Sequence, residues 1–410
     1  MSRGVWFAII VAVLILLDIY VFQAIKLVAG SWSPLARRIA YISYWSVSIL
    51  AIAGVFAAIL LDFEKFKLAR YFIFSGFMAN LIGKVFASLF LGMDDLVRGV
   101  QWVYQHFSAP ETPRDHSRHD FLVKTGVIAG TLPLVTMSYG IISGAHDYRV
   151  IHKKIALPNL PKSFHGIRIA QVSDIHSGSF FNKTAVKGGV EMVLNEKPDL
   201  IFFTGDLVNN ESKEVQDYIP VFNKLKAPLG VYSTLGNHDY AEYTRWPSEA
   251  ARKQDVRKLM EAHNIMGYDL LMNENRMLEQ GGDKLAIIGV ENWGTGGFPQ
   301  YGRLGEAHKG TDEAAVKLLL SHDPSHWDAQ VRPQFPDIDI MFAGHTHGFQ
   351  FGIEIGNFQW SPAQYRYPQW AGLYKSGGQH LYVNRGFGFL GFPGRVGMPP
   401  EITVIELVTA

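Results

Sequence analysis

The chain predicts an α/β layered domain preceded by an all-α bundle of four membrane-crossing helices, and three observations carry that fold class. Apolar residues are spread unevenly over the 410 positions, with the long uncharged stretches confined to the part before about Ser143. Beyond His165, short β-rich runs alternate with helical segments, as in a layered α/β domain. Five of those runs end in Asp, Asn or His motifs, and α/β sheets gather ligand-binding residues at the carboxyl ends of strands. The boundary is expected near residue 150, giving a four-helix region over 1–150 and an α/β domain over 151–410.

Val5–Ala24, broken only by Asp18, and the uncharged Ile39–Leu61 are each long enough to cross a bilayer. So are Tyr71–Met93, with Lys84 near its middle, and Thr125–Ser143, which contains Pro133. Asp18 and Lys84 are costly in lipid, so they either pair inside the bundle or snorkel to the interface. Asp94–Phe107 mixes Leu96, Val100, Trp102 and Phe107 with charges and suggests a helix lying on the membrane surface. Ala109–His119 follows as a polar connector whose histidines lack ligand-like spacing and are expected to be solvated. Four crossings put both ends of this region on one side, but the flanking Lys and Arg divide evenly between the two faces.

A net charge of +1, from 38 basic and 37 acidic residues, provides no basic field to attract nucleic acid, so no nucleic-acid partner is expected. With no cysteine, disulfides, thiolate nucleophiles and zinc–thiolate sites are all excluded. Any metal must be held by nitrogen and oxygen.

Ile167–Val172 leads to Asp174-Ile-His176, whose acid and imidazole share one side of an extended segment. Leu200–Phe203 leads to Gly205-Asp206, where glycine lets the backbone approach an ion. Gly230–Leu235 leads to Gly236-Asn237-His238-Asp239, Val316–Leu320 to Ser321-His322, and Ile338–Phe342 to Gly344-His345-Thr346-His347. Singly these are weak signals, because an Asp-x-His or His-x-His is more often a surface polar pair. Together they supply mixed donors for two divalent transition-metal ions, manganese, iron or zinc, in preference to the all-oxygen shells of calcium and magnesium. Two adjacent ions acidify a water and clamp the oxygens of an in-line displacement, the design used on phosphate esters.

On these ordered motifs, over roughly Lys162 to Leu407, the chain resembles the calcineurin-like metallophosphoesterase superfamily. Tyr382-Val-Asn-Arg-Gly386 and Pro400-Glu-Ile402 make it most similar to a small bacterial membrane-associated branch that includes relatives of transmembrane metallophosphoesterases. The resemblance implies a layered β-sandwich flanked by helices. It implies Asp174, His176 and His347 on one metal, Asn237, His322 and His345 on the other, and Asp206 bridging. It further implies His238 as phosphate-binding residue and general acid, with Asp239 as the carboxylate that orients it. That branch commonly has a second glycine where this chain reads Gly348-Phe349-Gln350, so Phe349 is expected at the substrate entrance.

The aromatics of Phe349–Phe392 read first as core filling and second as an apolar surface that rests on lipid or receives an acyl chain. Among Arg366, Arg385 and Arg395, Arg385 is the expected contact to the substrate phosphate. Gly386, Gly388 and Gly391 fit a dinucleotide-binding pattern, but Pro393, Pro399 and Pro400 follow, so no helix opens there to meet a pyrophosphate.

The expected function is a membrane-anchored, two-metal phosphohydrolase cleaving a phosphoester or pyrophosphate bond of a lipid-linked substrate by metal-activated hydroxide. Membrane lipids are its expected partners. The expected setting is the bacterial inner membrane, as a multi-pass protein with the catalytic half leaning to the cytoplasm. Two rivals are a catalytically silent metal-binding sensor or scaffold, which the complete ligand set disfavours, and a regulatory domain of a transporter. The second needs more intramembrane polar residues than Asp18 and Lys84.

Overall fold

The computed structural model describes residues 3–60, 66–108, 116–356 and 358–410. The chain separates into two compact units, Met1–Tyr139 and Gly140–Ala410.

The first unit holds α1 (Arg3–Val28), α2 (Pro34–Leu60), α3 (Lys67–Ser108) and most of α4 (His116–Ile142). All four are long and apolar enough to cross a membrane. Their apolar side chains point outward, with Leu50 70% and Leu60 87% exposed, as in a bundle whose solvent is lipid. Inside lies a small cluster of Val21, Ala24, Ala87, Leu91 and Val123. Asp18 and Lys84 are buried and form an ion pair. Ser48 Oγ donates to Asp18 Oδ1 at 2.8 Å, Tyr44 OH donates to the Asp18 carbonyl at 2.8 Å, and Lys84 Nζ donates to Ser48 Oγ at 2.9 Å.

One expectation is corrected here. Asp94–Phe107 is no separate surface helix; it continues α3 unbroken. No proline interrupts that run, and Asp94 is buried through ion pairs to Arg98 (3.0 Å) and His119 (2.7 Å). His119 is therefore paired and not merely solvated. Of the expected connector, residues 109–115 lie outside the described residues.

The second unit runs through β1 (Arg149–Leu157), β2 (Arg168–Val172), β3 (Leu200–Phe203), β4 (Val231–Ser233), β5 (Asp269–Leu270), β6 (Glu274–Gln280) and β7 (Asp283–Gly289). It continues through β8 (Val316–Leu320), β9 (Ile340–Ala343), β10 (Ile353–Ile355), β11 (Phe358–Trp360), β12 (Gly372–Ser376), β13 (Gln379–Val383) and β14 (Glu401–Thr409). Two six-stranded sheets result, ordered β1-β14-β2-β3-β4-β5 and β12-β13-β9-β8-β7-β6, with β10-β11 as a separate hairpin. β2, β3 and β4 run parallel, as do β7, β8 and β9, so the loops after them emerge at common edges.

The strands of the two sheet centres are apolar on both faces because both faces are covered. Between the sheets pack Ile169, Phe202, Leu318, Phe342 and Ile405, with Phe202 meeting Phe342 edge to face at 4.9 Å. Full burial of one such side chain contributes about 1.5–3 kcal/mol. On the outer face of the first sheet, Ala170, Val172, Ile201 and Phe203 meet Val190 and Val193 of the helix Lys183–Asn195 and Leu259 and Met266 of the helix Glu249–Met266. The side chains of Asn182 and Ser248 cap these helices by accepting from the N–H of Ala185 and Ala251. Ile288, Leu319, Met341 and Leu381 meet Trp327 and Val331 outside the second sheet. The domain is thus the expected β-sandwich flanked by helices.

The aromatic region fills the core only in part. Phe387 and Phe389 are fully buried in the first sheet's outer cluster, whereas Phe349, Phe358 and Tyr365 are exposed.

Candidate metal centre

The loops after β2, β3, β8 and β9 converge through backbone hydrogen bonds. Asp174 N donates to Gly205 O at 2.9 Å, His176 N to Asp206 O at 3.1 Å, and Gly344 N to His322 O at 2.9 Å. Asp174, His176, Asp206, His345 and His347 all have φ between 47° and 72°, a left-handed conformation that non-glycine residues resist by about 1–3 kcal/mol each. The surrounding loops hold that strain at the positions expected to carry ligands. Gly205, at φ 96°, is needed for close approach as well, since a Cβ there would lie 2.5 Å from Gly236 N.

Among the described residues two candidate ligand groups form. One joins Asp174, His176 and His347; the other joins Asp174, Asp206 and His322, all buried. Asp206 Oδ2 lies 3.5 Å from His176 Nε2 and 3.2 Å from His322 Nε2, between the two groups. His347 Nε2 stands 3.3 Å from Asp174 Oδ1 and 3.1 Å from His176 Nε2.

The tautomers follow from the outer partners. His322 Nδ1 donates to Thr204 O at 2.7 Å and His176 Nδ1 to Val208 O at 3.2 Å, which turns both Nε2 atoms inward. His322 Nε2 is buried, with Asp206 Oδ2 3.2 Å away but no hydrogen bond of good geometry. Burial opposes charge on His322, but Asp206 and Asp174 outweigh it and push the imidazole up to about 10. Burial instead drives His176 down and keeps it neutral. A neutral His176 with Nε2 aimed inward, and carboxylates that hold a proton on His322 where a cation would replace it, suit divalent ions bound by nitrogen and oxygen.

His345 and Asn237, the other two expected ligands, lie outside these two groups and against each other. His345 Nδ1 lies 2.8 Å from Asn237 Oδ1, and Asn237 Nδ2 donates to Tyr243 OH at 2.9 Å, which fixes the amide with its oxygen toward the centre. On the far side of His345, Nε2 meets Tyr367 OH at 2.7 Å and Asp323 Oδ2 at 3.5 Å. The sequence reading missed Tyr367, Tyr243 and Asp323, although Asp323 directly follows His322 and could have been taken with it.

Two expectations meet a different geometry. Asp239 does not touch the His238 imidazole; its carboxylate accepts from the N–H of Asp206 (2.8 Å), Leu207 (2.8 Å) and Gly236 (2.9 Å). Burial and then the Asp206 charge push Asp239 up to about 7, against the pull of those N–H groups. His238 is oriented instead by the Asn209 carbonyl, 2.7 Å from Nδ1. Arg385 is buried, its Nε and Nη1 engaged by Glu401 (2.6 Å) and Glu354 (2.8 Å), and it is not among the residues that line the cavity beside the ligand groups. Arg366 lines the cavity of about 380 Å³ that also takes in Asp206, His238, His345, His347 and the expected Phe349. The dinucleotide-like run acts as a brace: Phe387 N and Gly388 N donate to Ser173 O and Asp174 O at 2.7 and 2.8 Å.

Residues 2–145 match the family model "Probable Calcineurin-like phosphoesterase, transmembrane domain", and residues 167–349 match "Calcineurin-like phosphoesterase". The chain is 32% identical over 252 residues to a metallophosphoesterase of Bacillus subtilis described as uncharacterized, covering 60% of this chain and 81% of that one. It is 30% identical over 292 residues to a "Transmembrane protein with metallophosphoesterase domain" of Danio rerio, covering 69% of this chain and 63% of that one. It therefore spans less than two thirds of the fish protein's length. A protein at this identity with its catalytic and transmembrane parts both matched is a membrane protein that belongs to the calcineurin-like metallophosphoesterase family.

Proposed function

We propose that the chain hydrolyses a phosphoester or pyrophosphate bond in a lipid-linked substrate, with two ions of manganese, iron or zinc. Asp174, His176 and His347 would hold one, Asn237, His322 and His345 the other, and Asp206 both. The observation that supports this most is the lining of one cavity: Asp206, Asn237, His238, His345 and His347 share it with the apolar Tyr243, Phe298, Phe349 and Leu390. Phosphoryl chemistry and a greasy wall meet in one space.

The bound ions supply the charge that acidifies water and neutralises phosphoryl oxygens. The chain's own groups do the rest. His238, held at Nδ1 by Asn209, leaves Nε2 for the substrate, and in its imidazolium form that N–H protonates the leaving oxygen. Asp239 ties the Gly236 and Asp206 loops together and so sets the spacing of Asp206 from His238. Arg366 binds a second anionic group, while the aromatic side chains take the apolar part. The setting we assign is the bacterial inner membrane with membrane lipids as partners, a reading supported by the bacterial relative, and the domain on the cytoplasmic face. Protease access to the Asp239 loop in inverted vesicles checks the face.

Incubating the purified chain and manganese with a native lipid extract, followed by mass analysis, tests the substrate. One phosphorylated lipid should disappear and its hydrolysis product appear, with neither change after chelation. Hydrolysis of generic phosphoesters without loss of any lipid would remove the lipid-linked part. No hydrolysis with any divalent ion would remove the enzyme.

A further inference from the structure

The hairpin β10-β11 has no neighbouring sheet, and its two faces differ in chemistry. In its register Ile353 pairs with Trp360 and Ile355 with Phe358, so these four share one face, while Glu354 and Gln359 share the other. The polar face is tied down: Gln359 Nε2 donates to Glu354 Oε1 at 2.7 Å, and Arg385 donates to Glu354 Oε2 at 2.8 Å. On the apolar face Ile353 is 47%, Ile355 72% and Phe358 59% exposed, while Trp360 is half-buried. Phe349, just ahead of the hairpin, is also exposed and belongs to the cavity lining. A lone two-stranded hairpin is marginal in water, and one this apolar calls for cover.

Its surroundings within the second unit bear on what could cover it. The last turn of α4, from Gly140, ends a segment long and apolar enough to cross a membrane, Ser117–His146. Residues 394–396 lie against that turn: Arg395 N donates to Gly140 O at 3.1 Å, and a Cβ on Gly394 would lie 2.7 Å from the Gly140 carbonyl carbon. The same three residues pair on their other side with the chain entering the hairpin, through Val396 N to Gln350 O at 2.8 Å and Gly352 N to Val396 O at 2.9 Å. Within the second unit, residues 394–396 thus lie between Gly140, where that unit begins, and the chain entering the hairpin.

We propose that Ile353, Ile355, Phe358 and Trp360 form a membrane-docking face that enters the headgroup–acyl boundary of the bilayer the chain already crosses. Arg385, by gripping Glu354, turns that face outward. This goes beyond the hydrolase reading and does not depend on it, since it needs only the membrane attachment.

The chain has no cysteine, so single-cysteine labelling is free of background. Full-length Ile355→Cys and Phe358→Cys, each carrying an environment-sensitive fluorophore, are reconstituted in liposomes beside Gln359→Cys as the opposite-face control. Expected at 355 and 358 are a blue shift, strong quenching by nitroxide-bearing lipid and protection from aqueous iodide, with the reverse at 359. Two positions keep the test alive if one variant fails to fold. Iodide quenching at 355 and 358 as strong as at 359, with no lipid quenching, would overturn the proposal. Protection from both quenchers that rises with the protein-to-lipid ratio would also overturn it, by identifying a second copy of the chain as the cover.

Discussion

Asp18 and Lys84 in the first unit are buried side by side and complete each other's bonding through Ser48 and Tyr44. In the second unit Asp174, Asp206, His176, His322 and His347 are buried as deeply, yet their inward nitrogens crowd the carboxylates and each other, and His322 Nε2 makes no well-formed hydrogen bond. Buried charge that satisfies itself fixes packing; buried charge left open on one side fits a missing cation. The same contrast separates two arginines: Arg385 is closed by Glu354 and Glu401, whereas Arg366 lines the cavity.

Three substitutions press on that contrast, in decreasing size. His238→Ala should keep the full metal content, measured by plasma mass spectrometry, while turnover falls by about 10²–10⁴-fold; equal loss of metal would make His238 a ligand. Lys84→Met strands a buried carboxylate and should destabilise the chain by roughly 3–5 kcal/mol. The double variant Asp18→Asn, Lys84→Met should recover most of that loss in thermal unfolding, and turnover per folded molecule should stay unchanged. If it recovers nothing, the pair is not self-contained. Asp239→Asn places an amide N–H₂ against backbone N–H donors and should destabilise by about 1–3 kcal/mol. Its turnover should drop through the displaced Asp206 loop, with His238 still held by Asn209.

Much of this was legible in the sequence for physical reasons. β3 and β8 were expected at their observed bounds because central strands buried on both faces appear as short apolar runs. The candidate ligand positions were legible because each follows such a run. The pairing of β1 with β14, Arg149 opposite Glu401, was not, since it depends on residues far apart in the chain. The partner of His238 was also hidden: it is the backbone carbonyl of Asn209, and no residue type advertises a carbonyl. Arg385 misled because a guanidinium near a ligand loop looks free until its two acids, Glu354 and Glu401, are placed beside it.

The central claim is that the second unit's open cluster is completed by two ions. Metal content per chain, measured with hydrolysis of a generic phosphodiester before chelation, after it, and after manganese is restored, tests this most directly. The account predicts two ions per chain in the active protein, loss of both with loss of activity, and recovery together, with Asp206→Asn retaining neither full metal nor turnover. Undiminished hydrolysis by the metal-stripped chain, or full activity with one ion per chain, would contradict it.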